Sequence, residues 1–333
     1  MSPSFRLITM AAWALLLTGC GGNQSALDVH GASAVHLKHL IMGIVAVCSA
    51  VWMIVMIVLI WALSRSKAEW PRPNPGGERR LTTAVTAAVG MTVIIITGLT
   101  IASFATTRAL SEAGGEDLTI KINGQQWWWQ VTYIDPDPTR SFNTANEIHV
   151  PVGRNVRLQL EAGDVIHSFW VPSLAGKQDL IPGRVNELAI RADRAGIYRG
   201  QCAEFCGLQH SHMAVLVIAE SAADYEGWIS AQRQQAAASS NQEAEAGKAV
   251  FMSKPCASCH TVRGTDASGS TGPDLTHVGS RQTIAAGLFD TTRGSLAAWI
   301  ADPQTLKPGN NMPMVALSSD ELRQISAYMA SLK

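Results

Sequence analysis

The sequence predicts a multidomain membrane protein in three parts: a two-helix transmembrane hairpin, an all-β domain and an all-α tail. Three observations carry this. Two charge-free apolar stretches, 40–63 and 84–105, lie in the first third of the chain. Short β-like runs parted by Pro, Gly and Asp follow them, and residues 243–333 then read as helical. Lys plus Arg is 26 and Asp plus Glu is 26, so no nucleic-acid partner is expected. At 47% hydrophobic and 16% charged residues, the chain is too apolar for a disordered one. Six cysteines in 333 residues do not make a disulfide scaffold, but four of them fall in two tight pairs, Cys202/Cys206 and Cys256/Cys259.

At the start, Arg6 precedes an apolar run from Leu7 to Leu17 and then Thr18-Gly19-Cys20. This reads as a lipoprotein-type signal peptide over 1–19, with Cys20 as the lipid anchor and 20–39 as an outer N-terminal segment. The stretches 40–63 and 84–105 are each long enough to cross a hydrocarbon core of about 30 Å at about 1.5 Å per residue. The intervening loop, 64–83, carries Arg65, Lys67, Arg72, Arg79 and Arg80 against Glu69 and Glu78. That excess places the loop in the cytoplasm and both termini outside. Cys48, inside the first span, is an apolar filler.

Residues 106–219 form the β domain, with runs at 118–122, 128–133, 146–150, 155–160, 187–190 and 213–218 that suggest a sandwich or small barrel. Residues 220–242 are rich in Ala, Gln and Ser and read as a linker, helical near Trp228. The tail, 243–333, ends in a capping box, Ser318-Ser319-Asp320-Glu321, ahead of Leu322, Ile325, Met329 and Leu332 on one helix face.

Two motifs carry chemistry. Cys202-Ala-Glu204-Phe-Cys206-Gly-Leu-Gln-His210-Ser-His-Met213 packs two thiols, an imidazole and a thioether into twelve residues. Such soft ligands select copper or zinc, and export to an oxidising compartment makes redox copper reasonable. His167, closing an apolar run elsewhere, is the candidate for a further ligand. A Cys202–Cys206 disulfide is the competing assignment, but across three residues it gains little chain entropy. Cys256-Ala-Ser-Cys259-His260 has the haem c attachment pattern: two thiols for thioether bonds, then the proximal iron ligand.

These residues also carry a resemblance. Asp164-Val-Ile-His167-Ser-Phe-Trp-Val-Pro172, Lys177-Gln-Asp179-Leu-Ile-Pro182-Gly183-Arg184, the Cys202 to Met213 motif and Gly124-Gln-Gln126-Trp127-Trp128-Trp129 resemble subunit II of the haem-copper cytochrome c oxidases. Gly247 to Phe251, the haem motif, Gly272-Pro273 and Asn311-Met312-Pro313 make the tail similar to a class I cytochrome c. The first resemblance implies a cupredoxin fold holding a binuclear copper centre, CuA. Cys202 and Cys206 would bridge two coppers, with His167, His210, Met213 and the Glu204 carbonyl as the other ligands. The Glu204 side chain would join a magnesium or manganese site at the border with subunit I. Trp127 would be the surface aromatic through which electrons enter. The second resemblance implies one haem c on Cys256 and Cys259, with His260 and Met312 as axial ligands and Met314 as the rival of Met312. Together they imply an electron-transfer subunit of a proton-pumping oxidase in a bacterial inner membrane. Its partners would be subunits I and III, and its donor a cytochrome c or a quinol–cytochrome c reductase. Oxygen would be reduced in subunit I, with no catalytic residue in this chain. The family's second helix usually opens Glu-x-x-Trp-Thr-x-x-Pro, whereas this chain has Glu78-Arg-Arg-Leu-Thr, so no proton-inlet role falls to Glu78.

Overall fold

A computed structural model describes residues 22, 24–65, 75–112, 118–238 and 241–333. The expected signal peptide 1–19, the anchor Cys20 and residues 66–74 of the expected loop lie outside the described residues. Two compact units separate, one within Val35–Ala113 and the other comprising the rest of the chain.

The first unit holds α1 (Ala32–Ser64) and α2 (Pro75–Glu112), both long and apolar enough to cross a membrane. Both outrun the charge-free stretches that mark them in sequence. Backbone hydrogen bonding, not hydropathy, ends a helix, and Pro75 at the first helical position of α2 has no N–H to leave unpaired. The 33 residues of α1 extend about 50 Å against a hydrocarbon core of about 30 Å. Large apolar side chains such as Ile54, Ile94 and Phe104 point outward along both helices. On α2 the hydroxyls of Thr83, Thr92, Thr100 and Thr106 each donate to the carbonyl four residues back, at 2.8–2.9 Å. This satisfies them without water.

In the second unit, ten strands form two five-stranded sheets. One has the order β3-β2-β1-β5-β8: Phe142–Ala145, Trp128–Tyr133, Leu118–Gln125, Val156–Ala162 and Asn186–Ile190. The other is β4-β10-β9-β6-β7: Glu147–Pro151, Ala214–Glu220, Gly196–Cys202, His167–Trp170 and Gln178–Leu180. Strands β1, β2 and β5 alternate buried and half-buried residues, as one-sided strands should. The fully buried Trp129 meets Phe169 of the other sheet edge-to-face, centroids 5.7 Å apart, at the centre of the core.

Strands β4 and β10 are buried almost throughout, so both of their faces are covered. One cover is α3 (Ala222–Gln232), which lies in the segment that reads as a linker and is N-capped by Ser221. Tyr225 and Ile229 of α3 are buried, and Trp228 stacks on His149 of β4 with centroids 4.0 Å apart. Those three residues form an apolar stripe at helical spacing, which the surrounding Ala, Gln and Ser hide in the composition.

The tail packs α4 (Gln242–Ser253) across the final helix, with α5 (Cys256–Cys259), the hairpin β11–β12 (Thr283–Ile284 and Phe289–Asp290), α6 (Arg293–Ala301) and α7 (Pro303–Leu306) between them. The final helix, α8 (Ser319–Ser331), starts in the expected capping box. Gly247 lets α4 and α8 touch, because a Cβ there would collide with the Gln324 carbonyl. Phe251 meets Tyr328 beside that crossing. Glu243 binds both Arg293 and Arg323, tying α4 to α6 and α8.

Candidate metal centres

Strand pairing brings the first motif together. Phe169 of β6 pairs with Cys202 of β9, and Gln201 of β9 pairs with Ala214 of β10. His167, Cys202 and Met213 therefore share one end of the sheet, and the loop between β9 and β10 folds Cys206 and His210 over them. The two sulfurs are 3.8 Å apart, and both thiols are free. His167 Nδ1 lies 3.9 Å from Cys202 Sγ, His210 Nδ1 lies 3.6 Å from Cys206 Sγ, and Met213 Sδ lies 3.9 Å from Cys206 Sγ. The Glu204 carbonyl is 3.3 Å from Cys202 Sγ. His167, Cys202 and Cys206 are placed closely enough to hold a metal ion, and two thiolates, two imidazoles and a thioether suit copper. The Glu204 side chain faces solvent and accepts a bond from the Phe205 amide.

Electrostatics prepare the thiol pair for ligation. The hydrogen bond between the sulfurs pulls Cys202 well below the ordinary thiol range and pushes Cys206 up, so one proton leaves this pair readily. Burial opposes charge on His167, but its hydrogen bonds to Cys202 and Asp164 outweigh that and raise its pKa. Asp164 Oδ1 holds His167 Nε2 at 2.9 Å, while Asp164 Oδ2 accepts from the Gln126 amide at 2.7 Å. The ring is thus fixed with Nδ1 toward the sulfurs. Gly124 completes the cradle, since a Cβ there would lie 2.9 Å from His167 Cδ2. The motifs contain both Asp164 and Gly124, but spacing alone assigns neither a role.

Trp127 departs from the expectation of a surface aromatic. It is 7% exposed, because the tail lies over it: a Cβ on Gly309 would sit 3.5 Å from Trp127 Cη2. Its indole Nε1 donates to the Cys206 carbonyl at 2.9 Å, and Gln126 Nε2 donates to the same oxygen at 2.7 Å. The aromatic is therefore bonded directly to the thiol-bearing loop.

In the tail, α5 presents Cys256 and Cys259, and His260 leaves the helix in an extended conformation. His260 Nδ1 donates to the Pro273 carbonyl at 2.8 Å, and burial lowers its pKa. This yields a neutral imidazole with the Nε2 lone pair free, as a proximal iron ligand requires. Gly272 lies against that ring, where a Cβ would come within 2.5 Å of Cε1. Met312 is half-buried and held through its backbone by Asn310 Oδ1 at 2.8 Å and Gln304 Nε2 at 2.7 Å. Met314 is 61% exposed. The residues present fit a covalent haem.

Known proteins resemble the two domains that carry these sites. Residues 133–220 match the family of the cytochrome c oxidase subunit II periplasmic domain, and residues 244–333 match the cytochrome c family. Cytochrome c oxidase subunit 2 of Alkalihalophilus pseudofirmus is 34% identical over 340 residues, covering 98% of this chain and 97% of that protein. The Bacillus subtilis protein of the same name is 32% identical over 227 residues, 65% of this chain and 62% of its own. A crystal structure of the periplasmic domain of subunit II of the Bradyrhizobium japonicum oxidase is 33% identical, covering 36% of this chain and 96% of its own with a TM-score of 0.33. The two matched domains imply a CuA copper centre and haem c, hence a role in electron transfer alongside other oxidase subunits. With a likeness that runs almost end to end through both proteins, the chain belongs to the cytochrome c oxidase subunit 2 family, in a form that also carries a cytochrome c domain.

Proposed function

We propose that this chain takes electrons from a donor at haem c and delivers them through a binuclear copper centre to haem in subunit I, where oxygen is reduced and protons are pumped. The observation that carries this is the convergence of Cys202, Cys206, His167, His210 and Met213, with sulfur and nitrogen atoms 3.6–3.9 Å apart. When bound, the copper pair and the haem supply reversible one-electron chemistry.

Cys202 and Cys206 would bridge the coppers, and His167 and His210 would each bind one through Nδ1. Met213 and the Glu204 carbonyl would complete the set. Full ligation by a buried, rigid shell leaves no position for substrate, which suits a relay and not a catalytic metal. Cys256 and Cys259 would hold the haem covalently between His260 and Met312. A Met/His pair closes the iron to exogenous ligands and raises its potential. Met312, half-buried and backbone-anchored, is favoured over the exposed Met314. The electron inlet to the copper loop would be Trp127, supported by its bond to the Cys206 carbonyl.

The Glu204 side chain, exposed beside the copper loop, would join a magnesium or manganese site completed by subunit I. Subunit III is the further partner, and a cytochrome c or a quinol–cytochrome c reductase is the donor. The metal domains and both termini would lie outside a bacterial inner membrane, a reading the basic loop supports, with Cys20 as a lipid anchor.

Metal analysis of the purified chain tests the reading, with about two coppers and one haem iron expected per chain. One copper, or zinc in its place, would overturn it. In the assembled oxidase, Cys202→Ser should leave haem c reducible by donor and stop onward transfer. Normal turnover in that variant would remove the copper centre from the route.

A further inference from the structure

The tail contains a lysine that the electron route does not use. Lys307, at the end of α7, is 2% exposed. Its Nζ donates to three carbonyls: Trp127 at 2.8 Å, His212 at 2.8 Å and Ala285 at 3.0 Å. Three donors and three acceptors leave the ammonium fully satisfied. Two of those carbonyls belong to the β domain, one on the proposed electron inlet and the other between His210 and Met213. The third belongs to the β11–β12 turn.

That turn makes a second, independent attachment. Ala285, Ala286 and Gly287 all have left-handed backbone, with φ of 54°, 61° and 78°. This conformation is costly for the two alanines, and it aims three successive carbonyls at partners. Ala285 accepts from Lys307, Ala286 accepts from the Ala214 amide of β10 at 3.0 Å, and Gly287 accepts from Arg199 of β9 at 3.5 Å. Gln209 adds a bond to the Pro308 carbonyl at 2.9 Å. From Lys307 the connection continues inside the tail. Asn310 Nδ2 donates to the Lys307 carbonyl at 2.7 Å, and Asn310 Oδ1 accepts from the Met312 amide at 2.8 Å.

The geometry points to Lys307 as a positioning residue, a latch that holds the haem-bearing tail against Trp127 and the copper loop and registers the Met312 segment on that surface. This deepens the proposed route and rests on it, because Lys307 is not among the proposed metal ligands and would act only by fixing the distance between the two sites. With both groups bound, the step across that distance would be transfer of one electron from reduced haem to oxidised copper, with no bond made or broken.

Two measurements test the latch on the full, metal-loaded chain. Amine acetylation followed by mass spectrometry should modify Lys307 at least about tenfold more slowly than the exposed Lys333, since an ammonium with three buried partners reacts only when the contact opens. Equal rates would overturn the proposal without any variant. Lys307→Met keeps the length of the side chain and removes its donors. Hydrogen exchange over 283–290 and 307–312 should then rise about tenfold, with the haem c absorption and copper content unchanged. In the assembled oxidase, flash-induced transfer from haem c to copper should slow by a similar factor while reduction of haem c by donor is unaffected. A folded, metal-replete variant with wild-type exchange and wild-type transfer would also overturn the latch. Wild-type protein that shows the protected lysine but no transfer from haem c to copper would instead sink the electron route and leave the docking intact.

Discussion

At the scale of single residues, two positions outside the proposed metal-ligand set matter, one at the copper end of the β domain and one on β4. Gly124 carries no chemistry of its own, yet it sets how closely β1 approaches His167. Gly124→Ala should push the imidazole from Asp164 and lower copper occupancy, with a stability cost of about 1–3 kcal/mol for overpacking. Metal content and the visible spectrum of the chain would register this, and full occupancy would show that the ring has room to shift. Glu147 acts through charge. Burial pushes its carboxyl up to about 7, against the Thr283 amide, Arg281 and the Gln282 amide, which all favour the anion. His149, Glu220 and Tyr133 are the other titratable groups around it. A carboxyl raised in the folded state binds its proton more tightly there than in the unfolded chain. Its contribution therefore favours folding below its ordinary value near 4.5 and is lost as pH rises through about 7. The loss is about 3 kcal/mol at 1.36 kcal/mol per unit. The melting temperature of the detergent-solubilised chain should fall between pH 5 and 8, and Glu147→Gln should flatten that fall. A parallel slope in the variant would assign the dependence to another group.

At the scale of elements, what could be read from sequence follows from length and one-sidedness. Strands β1, β2 and β5 alternate over six to eight residues, so each is visible as a run of its own. Strand β7 has three residues, β6 has four, and β9 includes two glycines, so none of these yields a period to count. They are nonetheless the strands that place His167 and Cys202. The helix α3 falls where the sequence reads as helical near Trp228, but the linker-like composition around it hides the packing by which Tyr225, Trp228 and Ile229 bind it to β4 and β10. If α3 is a cover for the second sheet, Ile229→Ala should cost about 2–4 kcal/mol and expose Trp228 to solvent. Tryptophan fluorescence and thermal melting would detect both. A loss below about 0.5 kcal/mol, the level of an ordinary surface substitution, would return the segment to the status of a tether.

At the scale of the whole molecule, the same division separates what is local from what is assembled. Cys202 to Met213 and Cys256 to His260 are continuous in the chain, so each site declared most of its ligands by spacing. The contact of Lys307 with Trp127 joins residues 180 positions apart, and no local pattern foreshadows it. Membrane orientation lies at the opposite extreme, because it rests on charge alone. Arg65, Lys67, Arg72, Arg79 and Arg80 against Glu69 and Glu78 make residues 64–83 positive, which in the proposed topology would retain them on the cytoplasmic side. Two crossings would then return the chain to the outer side, where the proposed copper and haem domains would both lie. An impermeant maleimide can test this, because copper would shield Cys202 and Cys206, thioether bonds would consume Cys256 and Cys259, lipidation would block Cys20, and Cys48 lies within the first apolar helix. Ser66→Cys should be labelled in inverted vesicles and spared in intact spheroplasts, and Lys333→Cys should show the reverse. Labelling of Ser66→Cys from outside would invert the hairpin and put both metal domains on the side where neither an exported donor nor an oxidising compartment could serve them.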